Sequence, residues 1–292
     1  MGLAQIVLAW FGCRPKRQVG VDSSQRLSTD HDAGADGIPM VGSLTDEEIL
    51  AEARRTGPLL SDVMDAASAA LRPGITTLEI NQTIERALKT RGFSPAMKGY
   101  NGFAFSSAIA CNEEILHGVP SSRRIAAGDL VKLQTAGATP RGWASQGWTY
   151  SVGPVSESDS RMLETAATAL RAAREVIRTG ARIGDLGAAI QSSVESAGYA
   201  VVRQFHGYAM GRRMIGPPGL PGYGRAGQGA RLRGGEILHA HVILKDGSPN
   251  VVISEDGWTA KAADGKRGVL KTCMMEVQEG GCRLLGRFLD PA

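Results

Sequence analysis

The chain has few cysteines and no long apolar run, and each shortage excludes a class of protein. Its 292 residues include four cysteines, none of them in a C-x-x-C pair. A disulfide framework is therefore not expected, and a reducing compartment, the cytoplasm, fits best. The apolar run at residues 2–13 is short, lacks a preceding basic region and is followed by Arg14, Lys16 and Arg17. We expect neither an export signal nor a membrane span, and a weak interfacial anchor stays open as an alternative.

Charge gives only a weak indication of partners. The formal net charge is +4 and the isoelectric point is near 9.0. Most lysines and arginines are scattered, as on a solvated surface. The densest basic stretch lies in a Gly/Pro-rich segment that we expect to form a loop, and it holds Arg212, Arg213, Arg225, Arg231 and Arg233. Such a segment suits an acidic partner.

The chain is long enough for a sizeable core, since 42% of its residues are hydrophobic. Residues 18–41 are rich in Ser, Asp and Gly and show little periodicity, which is typical of a flexible extension. We therefore divide the chain into an extension over residues 1–43 and one folded domain over residues 44–292.

A pattern of two helices followed by strands occurs twice along the domain. Capping-box spacings at Thr45/Glu48 and Thr76/Glu79 predict helices over residues 44–71 and 76–91, followed by strands at 103–110 and 130–135. Helical periodicity returns at 158–180 and 183–198, before strands at 201–205 and 237–244. The repetition predicts a pseudo-symmetric α+β unit.

Several motifs resemble one family. Residues 112–120 read NEEILHGVP and residues 128–131 read GDLV, which is similar to the N-E-x-x-x-H-G-x-P…G-D-[IL]-V stretch of the methionine aminopeptidases. The DGWT of residues 256–259 and further matches to the family fall in the same order, so the resemblance covers roughly residues 44–285. It implies the "pita-bread" fold of the creatinase/aminopeptidase superfamily, with a pseudo-two-fold axis, a central curved antiparallel sheet and helices outside.

The resemblance also implies two divalent cations held by two Asp, one His and two Glu. The residues at the matched positions carry no carboxylate: they are Gln134, Ser145, Tyr208, His241 and Thr272, with Gln146 replacing Ser145 if the preceding turn carries a one-residue slip. Two cations about 3.5 to 4 Å apart would then have nothing to offset their repulsion. We expect no dinuclear metal centre and no cofactor.

Other features of the family's cleft are kept. His117 matches the histidine of H-G-x-P, which the resemblance places against the reacting peptide, whereas the family's second catalytic histidine falls on Ile215. Four residues match the apolar pocket for the first side chain: Tyr100, Phe103, Met214 and Trp258. We expect a small hydrophobic or thioether group to fit there.

The residues near the matched metal positions are hydrogen-bonding groups, namely Gln134, Ser145, Tyr208, His239, His241 and Thr272. A buried polar group without a partner costs about 1–3 kcal/mol, so the presence of these side chains indicates a polar ligand. Because they are hydrogen-bond donors where the family has carboxylates, they suggest that this ligand carries an anionic or carbonyl group. His239 and His241 alternate on a predicted strand and should face the same side. One alternative is a single transition metal with His117 or Cys273 as third ligand. The other is metal-free proton transfer, for which creatinase, of similar fold, is a precedent.

Three functions follow from these features. The leading hypothesis is a metal-independent pseudo-methionine-aminopeptidase that acts on or binds a small amino-acid-derived or peptide-like ligand. His117, His239 and His241 would be its acid-base or hydrogen-bonding groups. The alternative is a non-catalytic binding protein for a protein N-terminus, a ribosome or another acidic partner. Residual or mononuclear-metal aminopeptidase activity is the third.

Overall fold

The computed structural model describes residues 44–289. The predicted extension over residues 1–43 lies outside the described residues. Four α-helices are present in the described range: α1 (Asp46–Ala69), α2 (Thr77–Thr90), α3 (Glu157–Val176) and α4 (Ile183–Ser196). Both predicted capping boxes are confirmed, because the Glu48 amide donates to Thr45 Oγ1 at 3.2 Å and the Glu79 amide to Thr76 Oγ1 at 3.2 Å. Local sequence therefore fixes where α1 and α2 begin.

A ten-stranded sheet forms the centre of the fold, and its paired strands are antiparallel. Its strands are β1 (Ser94–Pro95), β2 (Ser107–Cys111), β4 (Leu130–Thr139), β5 (Gly142–Ser151), β6 (Ala200–Val201), β7 (Gly207–Met210), β8 (Gly216–Leu220), β9 (Ile237–Lys245), β12 (Gly268–Gln278) and β13 (Gly281–Leu284). The order is β1-β4-β5-β12-β9-β7-β8, with β2 beside β4, β6 beside β9 and β13 beside β12. A small second sheet joins β3 (Glu114–Leu116), β10 (Val251–Ile253) and β11 (Ala260–Ala262).

The predicted pseudo-two-fold repeat is visible in matching hydrogen bonds. The Gly128 amide donates to Val152 O at 2.7 Å, and the Gly235 amide donates to Val277 O at 2.9 Å. Each glycine precedes an acidic residue whose carboxylate accepts a backbone N–H three residues back, Asp129 at 2.8 Å and Glu236 at 3.0 Å. The two turns lead into β4 and β9 in the same way. Gln134 and His241 therefore occupy equivalent positions in the two halves, each six residues after its glycine.

The helices and one face of the sheet share a single hydrophobic core. Leu60 of α1 and Leu170 of α3 belong to the same buried cluster as Leu133 on β4, Trp148 on β5 and Val242 on β9. Because side chains alternate along a strand, the residues next to these strand positions point to the opposite face. The polar residues singled out above lie on that opposite face.

Two predicted strands are shorter than the apolar pattern suggested. The strand predicted at 103–110 begins at Ser107, because a 3₁₀ turn over Tyr100–Gly102 and a bend precede it. The strand predicted at 201–205 contains only Ala200–Val201, and Val202 and Phe205 pack instead into a second buried cluster. Val202 and Phe205 are thus buried as predicted, but they lie outside the hydrogen-bonded strands of the sheet.

Within residues 44–289, no helix combines the length and apolarity that crossing a bilayer requires. The three cysteines of that range, Cys111, Cys273 and Cys282, are free thiols.

Candidate functional site

Residues at the matched metal positions lie on one face of the central sheet. Gln134 is directly opposite Gly147, Thr272 is opposite His241, and Tyr208 is opposite His239. Directly opposed residues of antiparallel strands point to the same face, and so do residues two apart on one strand. Ser145, two residues from Gly147 in a regular β4–β5 ladder, completes the set.

The regular ladder also decides between Ser145 and Gln146. No residue is skipped between Leu130/Ser151 and Thr139/Gly142, so the one-residue slip is absent. The side chain of Gln146 bonds elsewhere, accepting from Ser61 Oγ at 2.8 Å and donating to Arg287 O at 2.8 Å. Ser145, not Gln146, therefore lies on the same face of the sheet as Gln134.

The space between these side chains is small. The cavity measures about 20 Å³ and is lined by Met97, Gln134, Thr135, Ala136, Ser145, Gln146, Gly147, Tyr208, Met214, His239 and His241. One water molecule needs roughly 10–15 Å³ of such volume. In this conformation the site has room for about one water and for no amino-acid side chain.

A continuous hydrogen-bond chain runs across three strands at this site. The Gly147 amide donates to Thr272 Oγ1 at 2.7 Å. Thr272 Oγ1 lies 2.8 Å from His239 Nε2, and His239 Nδ1 lies 3.0 Å from His241 Nε2. If Thr272 donates its hydroxyl proton to His239 Nε2, then His239 Nδ1 carries a proton and donates to His241; the other tautomer reverses both bonds. In either case three of the four imidazole nitrogens have partners inside the site.

Gly147 contributes to this arrangement by having no side chain. A Cβ atom there would stand 3.0 Å from Gln134 Cγ, 3.0 Å from Leu270 Cδ2 and 3.4 Å from Thr272 Cγ2. A larger residue would push Gln134 and Thr272 apart. The glycine therefore permits Thr272 to approach the backbone of β5.

Tyr208 closes the site from β7. Its ring meets the rings of His239 and His241 edge-on, with centroid distances of 5.2 and 5.3 Å. Burial raises the pKa of its phenol above the usual value, while a hydrogen bond with Ser145 acts in the opposite direction. Tyr208 is thus a neutral phenol between two imidazoles.

Burial also keeps the three candidate histidines neutral. It lowers the pKa of His239 to about 3 and the pKa of His117 to about 3. The pKa of His241 is well below its ordinary value, first because of burial and then because of the neighbouring histidines. At neutral pH these rings donate and accept hydrogen bonds, but they hold no positive charge.

His117 stands beside this cluster and is not one of the residues lining the cavity. Its backbone lies in the left-handed region with φ 55°, which is uncommon outside glycine. The next residue must be glycine, because a Cβ on Gly118 would stand 2.2 Å from Ile109 O on β2. The His117 amide donates to Gln134 Oε1 at 3.4 Å and its ring meets Phe205 edge-on at 5.2 Å.

The predicted apolar pocket is only partly assembled around the cavity. Met214 lines it, and so does Met97, a residue that sequence reasoning missed although it lies three residues before Tyr100. Phe103 is 1% exposed and packs edge-on against Trp258 at 5.1 Å between ring centroids. Tyr100 is half-buried in the 3₁₀ turn that precedes Phe103. These aromatic residues pack together at the edge of the site.

The residues present do not fit a metal ion. No group of three or more His, Cys, Asp or Glu close enough to hold a metal exists in the part of the chain that the structure describes. His239 and His241 are hydrogen-bonded to each other, so their lone pairs do not converge on a common point. Cys273, proposed as a third ligand, follows Thr272 on β12 and therefore points to the other face, where burial raises the pKa of its thiol to about 12.

Comparisons with known proteins agree with the fold. The model of metallopeptidase family M24 matches residues 51–283. Methionine aminopeptidase A of Synechocystis sp. is 35% identical over 233 residues, covering 80% of this chain and 92% of that protein. Methionine aminopeptidase 1 of Bacillus subtilis is 33% identical over 235 residues, covering 80% of this chain and 94% of that protein.

Solved structures have the same architecture. The methionine aminopeptidase of Thermotoga maritima superimposes with a TM-score of 0.81 at 28% identity, over 84% of this chain and 98% of that one. The prolidase of Pyrococcus furiosus gives a TM-score of 0.64 at 18% identity, over 84% of this chain and 64% of that one, a likeness of fold alone. The predicted α+β pita-bread fold is confirmed.

Removing the Thr272 hydroxyl should destabilise the fold more than shortening the side chain does. Thr272→Val removes the oxygen that bonds both the Gly147 amide and His239 Nε2. Because these two buried groups then lack a partner, we expect the free energy of unfolding to fall by about 1–3 kcal/mol. Thr272→Ser keeps the hydroxyl and loses one methyl group, which costs about 0.8 kcal/mol. Urea denaturation of both variants measures the difference, and a valine variant at least as stable as the serine variant would contradict the hydrogen-bond chain.

Proposed function

Because the chain belongs to metallopeptidase family M24, we propose that it is a metal-independent pseudo-aminopeptidase of the methionine aminopeptidase type. It binds a small amino-acid-derived or peptide-like ligand at the aromatic edge beside the cavity and does not release methionine through a dinuclear metal centre. A reducing compartment such as the cytoplasm is part of this proposal.

The hydrogen-bond chain from Gly147 to His241 is the observation that carries the proposal. A dinuclear centre needs anionic oxygen ligands whose lone pairs face the cations. Here the matched positions hold neutral side chains, and two of them, Thr272 and His241, are joined through His239. The polar groups of this chain are hydrogen-bonded to one another and carry no negative charge, so no cation is needed to balance them.

The same geometry favours binding over acid-base catalysis. A general acid or base works best with a pKa near the operating pH, whereas burial lowers the pKa of His117 and His239 to about 3. Because their rings are neutral, His117, His239 and His241 are suited to hydrogen-bond a ligand or to stabilise the fold. Acid-base use of these three histidines remains the alternative within the same proposal.

A ligand would meet the cleft at its aromatic edge. Trp258 and Tyr100 are half-buried there, beside the fully buried Phe103. The loop that carries Trp258 is fixed, since Thr259 Oγ1 donates to Asp256 Oδ2 at 2.5 Å and accepts the Val119 amide at 3.3 Å. That second bond ties the tryptophan loop to the loop of His117. Two half-exposed aromatic side chains on a fixed edge supply apolar area for a peptide-like ligand.

Metal content and peptidase activity test the first half of the proposal. We expect purified protein, after incubation with Co²⁺, Mn²⁺ or Fe²⁺ and gel filtration, to retain far less than one ion per chain by elemental analysis. We also expect no release of methionine from the tripeptide Met-Ala-Ser. The Bacillus subtilis methionine aminopeptidase 1, treated identically, is the positive control. Two ions per chain, or metal-dependent methionine release, would refute metal independence.

Calorimetric titration with Met-Ala-Ser tests the second half. We expect the intact chain to bind the tripeptide and Trp258→Ala to weaken binding by about tenfold or more, because a buried aromatic contact is lost. Tyr199→Ala removes a half-buried aromatic ring between α4 and β6 and is the matched control, expected to bind like the unaltered chain. Undetectable binding by the unaltered chain, or equal binding by both variants, would count against an aromatic binding edge.

A further inference from the structure

Two loops at the start of α4 are joined by backbone hydrogen bonds. Residues 178–184 lead into α4, and residues 225–233 lie against them. The Gly180 amide donates to Leu232 O at 2.9 Å, and the Leu232 amide returns a bond to Ala181 O at 2.7 Å. The Ile183 amide donates to Ala230 O at 3.0 Å, and the Gly184 amide to Gln228 O at 2.9 Å. The two loops therefore form one surface with a fixed backbone.

This surface concentrates positive charge. It carries the residues that we call the arginine surface: Arg178, Arg182, Arg225, Arg231 and Arg233. All are exposed except Arg182, which is half-buried. Residues 174–185 and 221–236 contain these five arginines, Arg174 and three acidic residues, Glu175, Asp185 and Glu236, so their net charge is +3. The arginine surface thus carries more positive than negative charge.

Two acidic residues at the arginine surface, Asp185 and Glu236, accept hydrogen bonds from its backbone amides. Asp185 accepts the backbone amides of Arg182 at 2.7 Å and Gly227 at 2.6 Å, one with each carboxylate oxygen. Glu236 accepts the backbone amide of Arg233 at 3.0 Å. Within residues 44–289, none of the five arginine side chains forms an ion pair. Asp185 offsets part of their charge, since, after its two backbone hydrogen bonds, Arg178 and Arg182 contribute to lowering the pKa of its carboxyl group.

Two of the guanidinium groups are anchored on backbone carbonyls. Arg182 Nη1 donates to Gly229 O at 2.7 Å, and Arg231 Nη1 donates to Gly180 O at 3.3 Å. A guanidinium has further N–H donors beyond the one used, and a planar fork held in one orientation suits bidentate contact with phosphate oxygens. Anchoring also reduces the side-chain entropy that binding would otherwise cost.

The geometry points to a docking site for the phosphodiester backbone of a nucleic-acid duplex. The cationic groups are all arginines. A planar guanidinium matches the oxygen geometry of a phosphate group better than the compact charge of a lysine does. Residues 224–235 contain five glycines, so a backbone can approach closely. The nearest ring in sequence, Tyr223, is half-buried and has the Arg203 guanidinium over it at 5.1 Å, so it is not a free platform for an unpaired base. Recognition is therefore by charge and shape rather than by base identity. This surface is independent of the cleft's proposed function.

Fluorescence anisotropy with labelled hairpins of about 20 base pairs tests this site. RNA and DNA hairpins of the same sequence form two arms that share the phosphate backbone and differ in the 2′-hydroxyl and helix form. We expect binding by the full chain that weakens steeply with salt. Arg178→Gln/Arg225→Gln/Arg233→Gln should bind about tenfold or more weakly near 0.1 M salt, with the slope of log K against log salt reduced by about 2 to 3.

The matched control removes the same charge elsewhere. Arg72→Gln/Arg86→Gln/Arg161→Gln alters three exposed arginines outside the arginine surface and should bind the hairpins like the unaltered chain. Circular dichroism and melting of both triple variants establish that they are folded. Equal loss in the two variants, no hairpin binding by the unaltered chain, or displacement by polyglutamate at a lower charge concentration than by RNA would overturn the proposal. The last result would assign the surface to an acidic protein.

Discussion

The chain of hydrogen bonds from the Gly147 amide through Thr272 and His239 to His241 is the interaction on which the candidate site depends. The groups are deeply buried, and an unpartnered polar group at such depth costs about 1–3 kcal/mol. Each group in this chain is partnered by its neighbour, so the polar face needs neither cation nor anion to be stable. On the proposal of a metal-independent site, this mutual hydrogen bonding is what allows the fold to be stable with neutral side chains at these positions.

The antiparallel sheet makes this closure geometrically simple. Cross-strand neighbours on one face stand about 4.5–5.5 Å apart at Cβ, close enough for direct hydrogen bonds between short side chains. Thr272 and His241 are such a pair, and Tyr208 and His239 are another. The pseudo-two-fold repeat brings the second half's residues against Gln134 and Gly147 of the first. The same sheet that concentrates carboxylates around cations in an active peptidase can therefore concentrate neutral donors and acceptors around each other.

Sequence predicted the features that depend on local spacing. Helix starts at Thr45 and Thr76 followed from capping boxes, and the alternation of side chains along β9 placed His239 and His241 on one face. Features that depend on distant packing were missed. The strand at Ser107 starts late because Asn81 Oδ1, from α2, accepts the amides of Ser106 and Ser107, both at 3.1 Å.

The closure of the site was likewise beyond prediction. Polar residues at the matched positions suggested an incoming polar ligand, whereas in the structure they are hydrogen-bonded to one another around a cavity of about 20 Å³. Periodicity can place His239 and His241 on one face, but it does not show that their rings meet. The inward position of Met97 and the interlocking of the arginine loops depend in the same way on contacts between segments far apart in sequence.

The most direct test of a neutral, self-satisfied site is the imidazole ¹⁵N spectrum of His239 and His241, recorded between about pH 6 and 8 with and without Co²⁺. Burial that lowers the pKa of His239 to about 3 predicts neutral tautomers for both rings throughout, with one protonated nitrogen in each. We expect paramagnetic Co²⁺ to leave the imidazole ¹⁵N signals of both histidines unchanged. An imidazolium signal in that range, or broadening of both rings by Co²⁺, would contradict it.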